Sequence, residues 1–190
     1  MRTLILAALF SLLTTGVAMA EAGAVGLDFN NDSAEGRLSL VLTEDNYGKV
    51  LFNGRYLYND DEDTNLGSTA LSFYGDPGNI PGLTVGAGFI GYFGKSHKVY
   101  DTINVGLLGE LEYMPAELAG VGFGAKLGYA PKVFSFRDSD GLLEYSGQVF
   151  YTVTPKIHVY INYQGIEGNA EVGSNIKIDR DLRFGLRAFF

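Results

Sequence analysis

Three groups of side chains could do chemistry. The first is Asp60-Asp61-Glu62-Asp63-Thr64-Asn65, with four carboxylates in succession. Asp61-x-Asp63-x-Asn65 matches the first ligand positions of a calcium loop. The match then stops, because Leu66 stands where that loop needs Gly and Ser72 where it needs Glu. Asp60, Asp61 and Asp63 are thus weak metal candidates, able at most to bridge lipopolysaccharide phosphates through a divalent cation. A solvated acidic turn is the plainer reading. The second group surrounds His97, with Ser96 before it and Asp101 shortly after. A nucleophile, a base and an orienting carboxylate would have these types. Neighbours this close in sequence seldom form a triad, and no protease or acyl-chain pattern accompanies them. No catalytic residue is assigned. His158, the other histidine, reads as a polar filler. The third group is a set of charges embedded in apolar alternation: Asp28, Glu110, Glu112 and Glu144 against Arg37, Arg55, Lys126, Arg183 and Arg187.

Composition removes several functions. The chain of 190 residues has no Cys, so it has no disulfide, thiolate metal site or cysteine nucleophile. Its formal charge of -8 opposes nucleic-acid binding, which needs a basic patch. No Gly-rich phosphate loop precedes a helix, and no cofactor is expected. The 26 Gly residues lack a Gly-X-Y period, which excludes collagen, and the 46% apolar content excludes disorder.

The elements that must position the charges alternate with period two. Residues 1–20 read first as a secretory signal peptide: Arg2, an apolar run from Leu4 to Leu13, and Ala18-Met19-Ala20 as the cleavage site. One domain, 21–190, remains, and it has no apolar run long enough for a membrane-spanning helix. In it Ile103, Val105, Leu107, Leu111 and Tyr113 share one strand face, while Asn104, Glu110 and Glu112 share the other. Ten such segments are expected, at 22–29, 34–43, 49–58, 66–74, 82–93, 101–113, 120–130, 142–154, 157–164 and 180–190. Turn-forming clusters such as Asn30-Asn31-Asp32-Ser33 and Gly75-Asp76-Pro77-Gly78 separate them. The fold class is all-β, an antiparallel up-and-down barrel of about ten strands, with an eight-stranded register still open.

Three features turn that barrel inside out, apolar face toward lipid. The last strand alternates Leu182, Phe184, Leu186, Ala188 to a terminal Phe190, like the signal read by the outer-membrane barrel-assembly machinery. No charge falls on the apolar face of any segment, as expected where a mid-bilayer Lys or Arg costs about 2–4 kcal/mol. Glycines such as Gly86, Gly88, Gly122 and Gly124 lie mostly on the polar face, leaving room for long charged side chains in a narrow lumen. Tyr56, Tyr58, Phe93, Tyr129 and Tyr151 fit aromatic girdles. An even strand number puts both termini in the periplasm and makes 131–141 and 165–179 extracellular loops. The four carboxylates and five cations of the lumen nearly cancel, so a side-chain-filled interior is favoured over an open pore.

The signal peptide, the short barrel, the Asn59-Asp60-Asp61-Glu62-Asp63 turn and the Gly-rich Val85-Gly86-Ala87-Gly88 strand resemble the YfaZ family of predicted outer-membrane proteins of Gram-negative bacteria. The resemblance implies fold and location and transfers no catalytic residue. The expected protein is a monomeric bacterial outer-membrane barrel, structural or narrowly pore-forming. Its partners would be outer-membrane lipid, lipopolysaccharide and, during biogenesis, the assembly machinery reading Phe184, Leu186 and Phe190. Two alternatives stand beside it: ligand or adhesion-type binding through the extracellular loops, and an enzyme acting on lipid A or peptides.

Overall fold

The computed structural model describes residues 22–97, 100–170 and 175–190. The expected signal peptide lies outside them. The strands in chain order are β1 (Gly23–Phe29), β2 (Ser33–Asp45), β3 (Gly48–Asn59), β4 (Thr64–Gly75), β5 (Leu83–Ser96), β6 (Tyr100–Tyr113), β7 (Val121–Ala130), β8 (Ser135–Arg137), β9 (Ser139–Thr154), β10 (Ile157–Ala170) and β11 (Asn175–Phe189). All pairings are antiparallel, and β1 pairs with β11 to close the sheet. The short β8 takes over from β7 along β6, pairing at Thr102–Asn104 where β7 has ended. Ten strands therefore make the ring, and the eight-stranded register is excluded.

Gly23 and Phe190 exchange backbone hydrogen bonds of 3.2 and 3.0 Å, so both termini sit at one end. That end is the one expected to face the periplasm, and the opposite end is called distal below. The expected contrast between short periplasmic turns and long outer loops is absent. β10 runs on to Ala170 and β11 starts at Asn175, so most of 165–179 is paired strand. Residues 131–141 likewise hold a 3-10 turn, Lys132–Phe134, and β8. Backbone pairing needs no apolar alternation, and a bulge between Ile166 and Glu167 breaks the period in this hairpin. Loop-borne binding at 165–179 thus loses most of its loop.

The outer face is apolar. Leu27, Phe29, Leu71, Phe73, Phe89, Leu107, Leu127, Phe184 and Leu186 all stand exposed. Charge on this face is confined to strand ends, as at Lys95, Glu167 and Arg180. A continuous apolar skin around a polar interior is stable in lipid and aggregates in water. Among the described residues no helix is long and apolar enough to cross a membrane; the strands do the crossing.

Leu107 tests the inversion. It is 62% exposed midway along β6, in register with Phe89 and Tyr129. Leu107→Arg is expected to destabilise the barrel in lipid vesicles by about 2–4 kcal/mol. Leu118→Arg, on the periplasmic turn Ala116–Leu118, should cost almost nothing. Urea titration followed by heat-modifiable migration on gels reads both, and equal effects would reject the lipid-facing assignment.

Candidate functional site

Asp28, Arg37, Arg55, Glu110, Glu112, Lys126, Glu144, Arg183 and Arg187 all stand on inward positions of their strands. The structure adds Glu35, Asp179 and Asp181 to the carboxylates and Lys49 to the cations. The interior thus leans acidic by one charge, where a slight positive excess was expected.

Two buried carboxylates organise these groups. Glu144, on β9, accepts from Arg55 Nη2 at 3.1 Å, Tyr92 OH at 2.8 Å and Lys126 Nζ at 3.0 Å; Arg55 Nη1 also contacts it. Asp179, on β11, accepts from Asn59 Nδ2 at 2.8 Å, Gln164 Nε2 at 3.1 Å and Arg183 Nη1 at 3.1 Å. Gln164 couples the two centres, because its Nε2 also donates to Glu35 at 2.9 Å and its Oε1 accepts from Arg55 at 3.3 Å. Glu35 takes Arg37 Nε at 2.5 Å, and Arg37 reaches on to Asp28 at 3.0 Å. Arg183 Nε closes the set on Ser33 Oγ at 2.7 Å.

Ring position shows what this network spans. Around the ten-strand ring, β3 and β9 are diametrically opposite. The Arg55–Glu144 pair therefore crosses the full width of the lumen. Asp28, Glu35, Glu144, Asp179 and Arg183 are all completely buried. Among the described residues, Ser72 Oγ and Asn162 Nδ2 are the buried side-chain polar atoms without a hydrogen-bond partner. A buried polar network this well satisfied is rigid rather than fluid. Apolar side chains fill the rest toward the distal end: Leu57, Leu66, Leu142, Ile166 and Ile178 pack with Tyr100.

The inward glycines seat rings more than charges. A Cβ on Gly128 would meet the Tyr92 hydroxyl at 2.3 Å, and one on Gly185 the Tyr160 ring at 2.3 Å. Gly128 thereby lets Tyr92 reach Glu144, and Gly185 lets Tyr160 donate to Asp28 at 3.3 Å.

At the distal mouth Glu62 ties three elements. It pairs with His97 Nε2 at 3.0 Å and with Lys177, while its carbonyl accepts the His97 N–H at 3.0 Å. Ser96 Oγ meets His97 Nδ1 at 2.9 Å, so serine, imidazole and carboxylate do line up, with Glu62 in place of Asp101. Asp101 is instead held by Arg137 at 3.1 Å. Ser96 is buried, and its Oγ is also engaged by Thr64 Oγ1 at 2.7 Å. That oxygen is shielded and held between Thr64 and His97, and the arrangement joins three elements as a clasp. Asp60, Asp61 and Asp63 stay in the β3–β4 turn. Among the described residues, no three His, Asp or Glu side chains converge on one metal position. His158 lies in the lumen stacked on Phe150, with ring centroids 5.2 Å apart.

Toward the terminal end the lumen opens into a cavity of about 250 Å³. Lys49, Tyr74, Glu110, Glu112, Gln148 and Arg187 line it, below the Arg37, Arg55 and Lys126 side chains.

A family model described as YfaZ precursor matches residues 1–184. No curated protein matches the chain. Among solved structures the chain is similar to KdgM porin, at 11% identity and TM-score 0.48, over 89% of this chain and 99% of that one. It is similar to KdgM porin in complex with disordered oligogalacturonate, at 12% and 0.47, over 89% and 99%. It is also similar to the outer membrane channel DcaP of Acinetobacter baumannii, at 11% and 0.47, over 87% of this chain and 54% of that one.

Proposed function

The chain belongs to the YfaZ family, and on that footing we propose that it is a structural outer-membrane barrel whose lumen is shut by its own side chains. It is a small bacterial outer-membrane β-barrel. The observation that carries the further step is the Arg55–Glu144 pair, joining opposite walls of the lumen with Glu144 completely buried. Through-passage would require separating two buried charges, at a cost of several kcal/mol. A standing pore does not follow from such a lumen, and the buried, hydrogen-bonded Ser96 oxygen speaks against a nucleophile at His97. Its partners on this reading are outer-membrane lipid and lipopolysaccharide around the apolar skin, and the assembly machinery at Phe184, Leu186 and Phe190. The exposed Phe184 and Leu186 pair with Phe29 and Leu27 across the closing seam.

Planar-bilayer recording of the refolded protein tests the closed lumen. The expected trace in concentrated potassium chloride is silent. Sustained discrete steps from the unmodified chain would overturn the proposal.

A further inference from the structure

We propose that the periplasm-facing cavity binds a small zwitterion, a solute carrying an ammonium and a carboxylate at opposite ends. The cavity is a blind vestibule. Its floor is the buried network, and its walls are still wetted: Arg187 is 22% and Glu112 42% exposed. Most of the charge at the floor is already spent. Arg37 is matched by Asp28 and Glu35, and Arg55 and Lys126 by Glu144, all three carboxylates being wholly buried beneath the cavity surface.

Two charges of each sign remain facing the space. Lys49 on β3 and Arg187 on β11 stand against Glu110 and Glu112 on β6. Going round the ring, β6 lies three strands from β3 and four from β11. Lys49 and the Glu110–Glu112 side thus face each other across the space, Arg187 lies 3.7 Å from Glu112 and donates to Gln148 at 3.3 Å, and these four charges sum to zero. A field of that shape orients a dipolar solute and gives no net pull on a simple anion or cation. These groups also keep hydrogen-bonding capacity. Arg187 and Glu112 approach only to 3.7 Å, outside hydrogen-bond length, and Tyr74 engages a single oxygen of Glu110. Gln148 and Asn53 add neutral partners in the same cavity. The volume is below the roughly 300–1,000 Å³ of pockets for drug-sized ligands, so the solute must be short.

The test titrates the folded barrel in lipid nanodiscs with 4-aminobutyrate, reading NMR shifts of the labelled protein. Saturable binding is expected, with acetate and butylammonium each weaker by about tenfold or more, since each forfeits one charge-assisted contact. Lys49→Met and Glu112→Gln should each weaken 4-aminobutyrate to a similar degree; both residues lie near strand ends, away from the buried network. Absence of saturable binding would overturn the proposal. So would acetate or butylammonium binding as well as 4-aminobutyrate, an arm that needs no variant. Because the site is entered from one side, its failure leaves the closed lumen untouched, and conductance in the bilayer experiment would not remove the site.

Discussion

Glu144→Gln is expected to destabilise the barrel by about 3–5 kcal/mol, the cost typical of removing one partner from a buried ion pair. The substitution keeps shape and removes charge. Arg55 and Lys126 would then face each other in a closed interior without the carboxylate that now receives both. The amide can accept fewer of the bonds, and its own N–H groups would point at cations. Tyr92 would lose its acceptor as well. Urea titration in vesicles, with the folded fraction read by heat-modifiable migration, measures the loss. Replacing Arg55, Lys126 and Glu144 together by Met, Met and Leu should recover much of it, because apolar side chains of similar volume carry no desolvation cost. A loss under about 1 kcal/mol for Glu144→Gln would mean that water screens the pair, as at a protein surface, and that the lumen is not closed.

Arg183→Met should have the second large effect, and a different symptom. Arg183 is completely buried and spans Asp179, Asp181 and Ser33. Without it two neighbouring carboxylates keep only Asn59 and Gln164 as donors among these groups. Mutual repulsion would loosen the distal closure and admit water. The expected outcome is a stability loss of about 3–5 kcal/mol, together with flickering conductance that the unmodified barrel lacks. A variant as stable and as silent as the parent would show that the distal seal rests on the apolar layer of Leu57, Leu66, Ile166 and Ile178 alone.

Much of this architecture is legible in the chain. Period-two alternation places the ten strands and assigns their faces, because a lipid-facing strand tolerates no charge and a lumen-facing strand collects it. Glu35 escapes this logic. Its strand begins Ser33-Ala34-Glu35-Gly36, where small residues give no apolar beat. Asp179 escapes for a second reason. The stretch from Gly165 to Asn175 is rich in Gly and Asn and reads as loop, yet Gly165 to Asn169 pair as strand with Asn175 to Arg180, and the bulge resets which side chains face inward. Partners across the lumen are not legible at all. Nothing local links Arg55 to Glu144, 89 residues away. That pairing follows from strand number and the ring position that closure imposes.

The span of these contacts bears on how the barrel is made. Arg183 and Ser33 are 150 residues apart, Tyr160 and Asp28 132, Gln164 and Glu35 129, and Asn59 and Asp179 120. None can form while the sheet is an open ribbon, since the closing seam joins the first strand to the last. Until then every one of these charges needs water. A half-built barrel is thereby barred from the hydrocarbon, and one completed ring satisfies all of the groups together. The interior acts as a lock that only the full-length chain can turn. Assembly should consequently be slow and all-or-none, and a chain stopped before β11 should remain outside the bilayer.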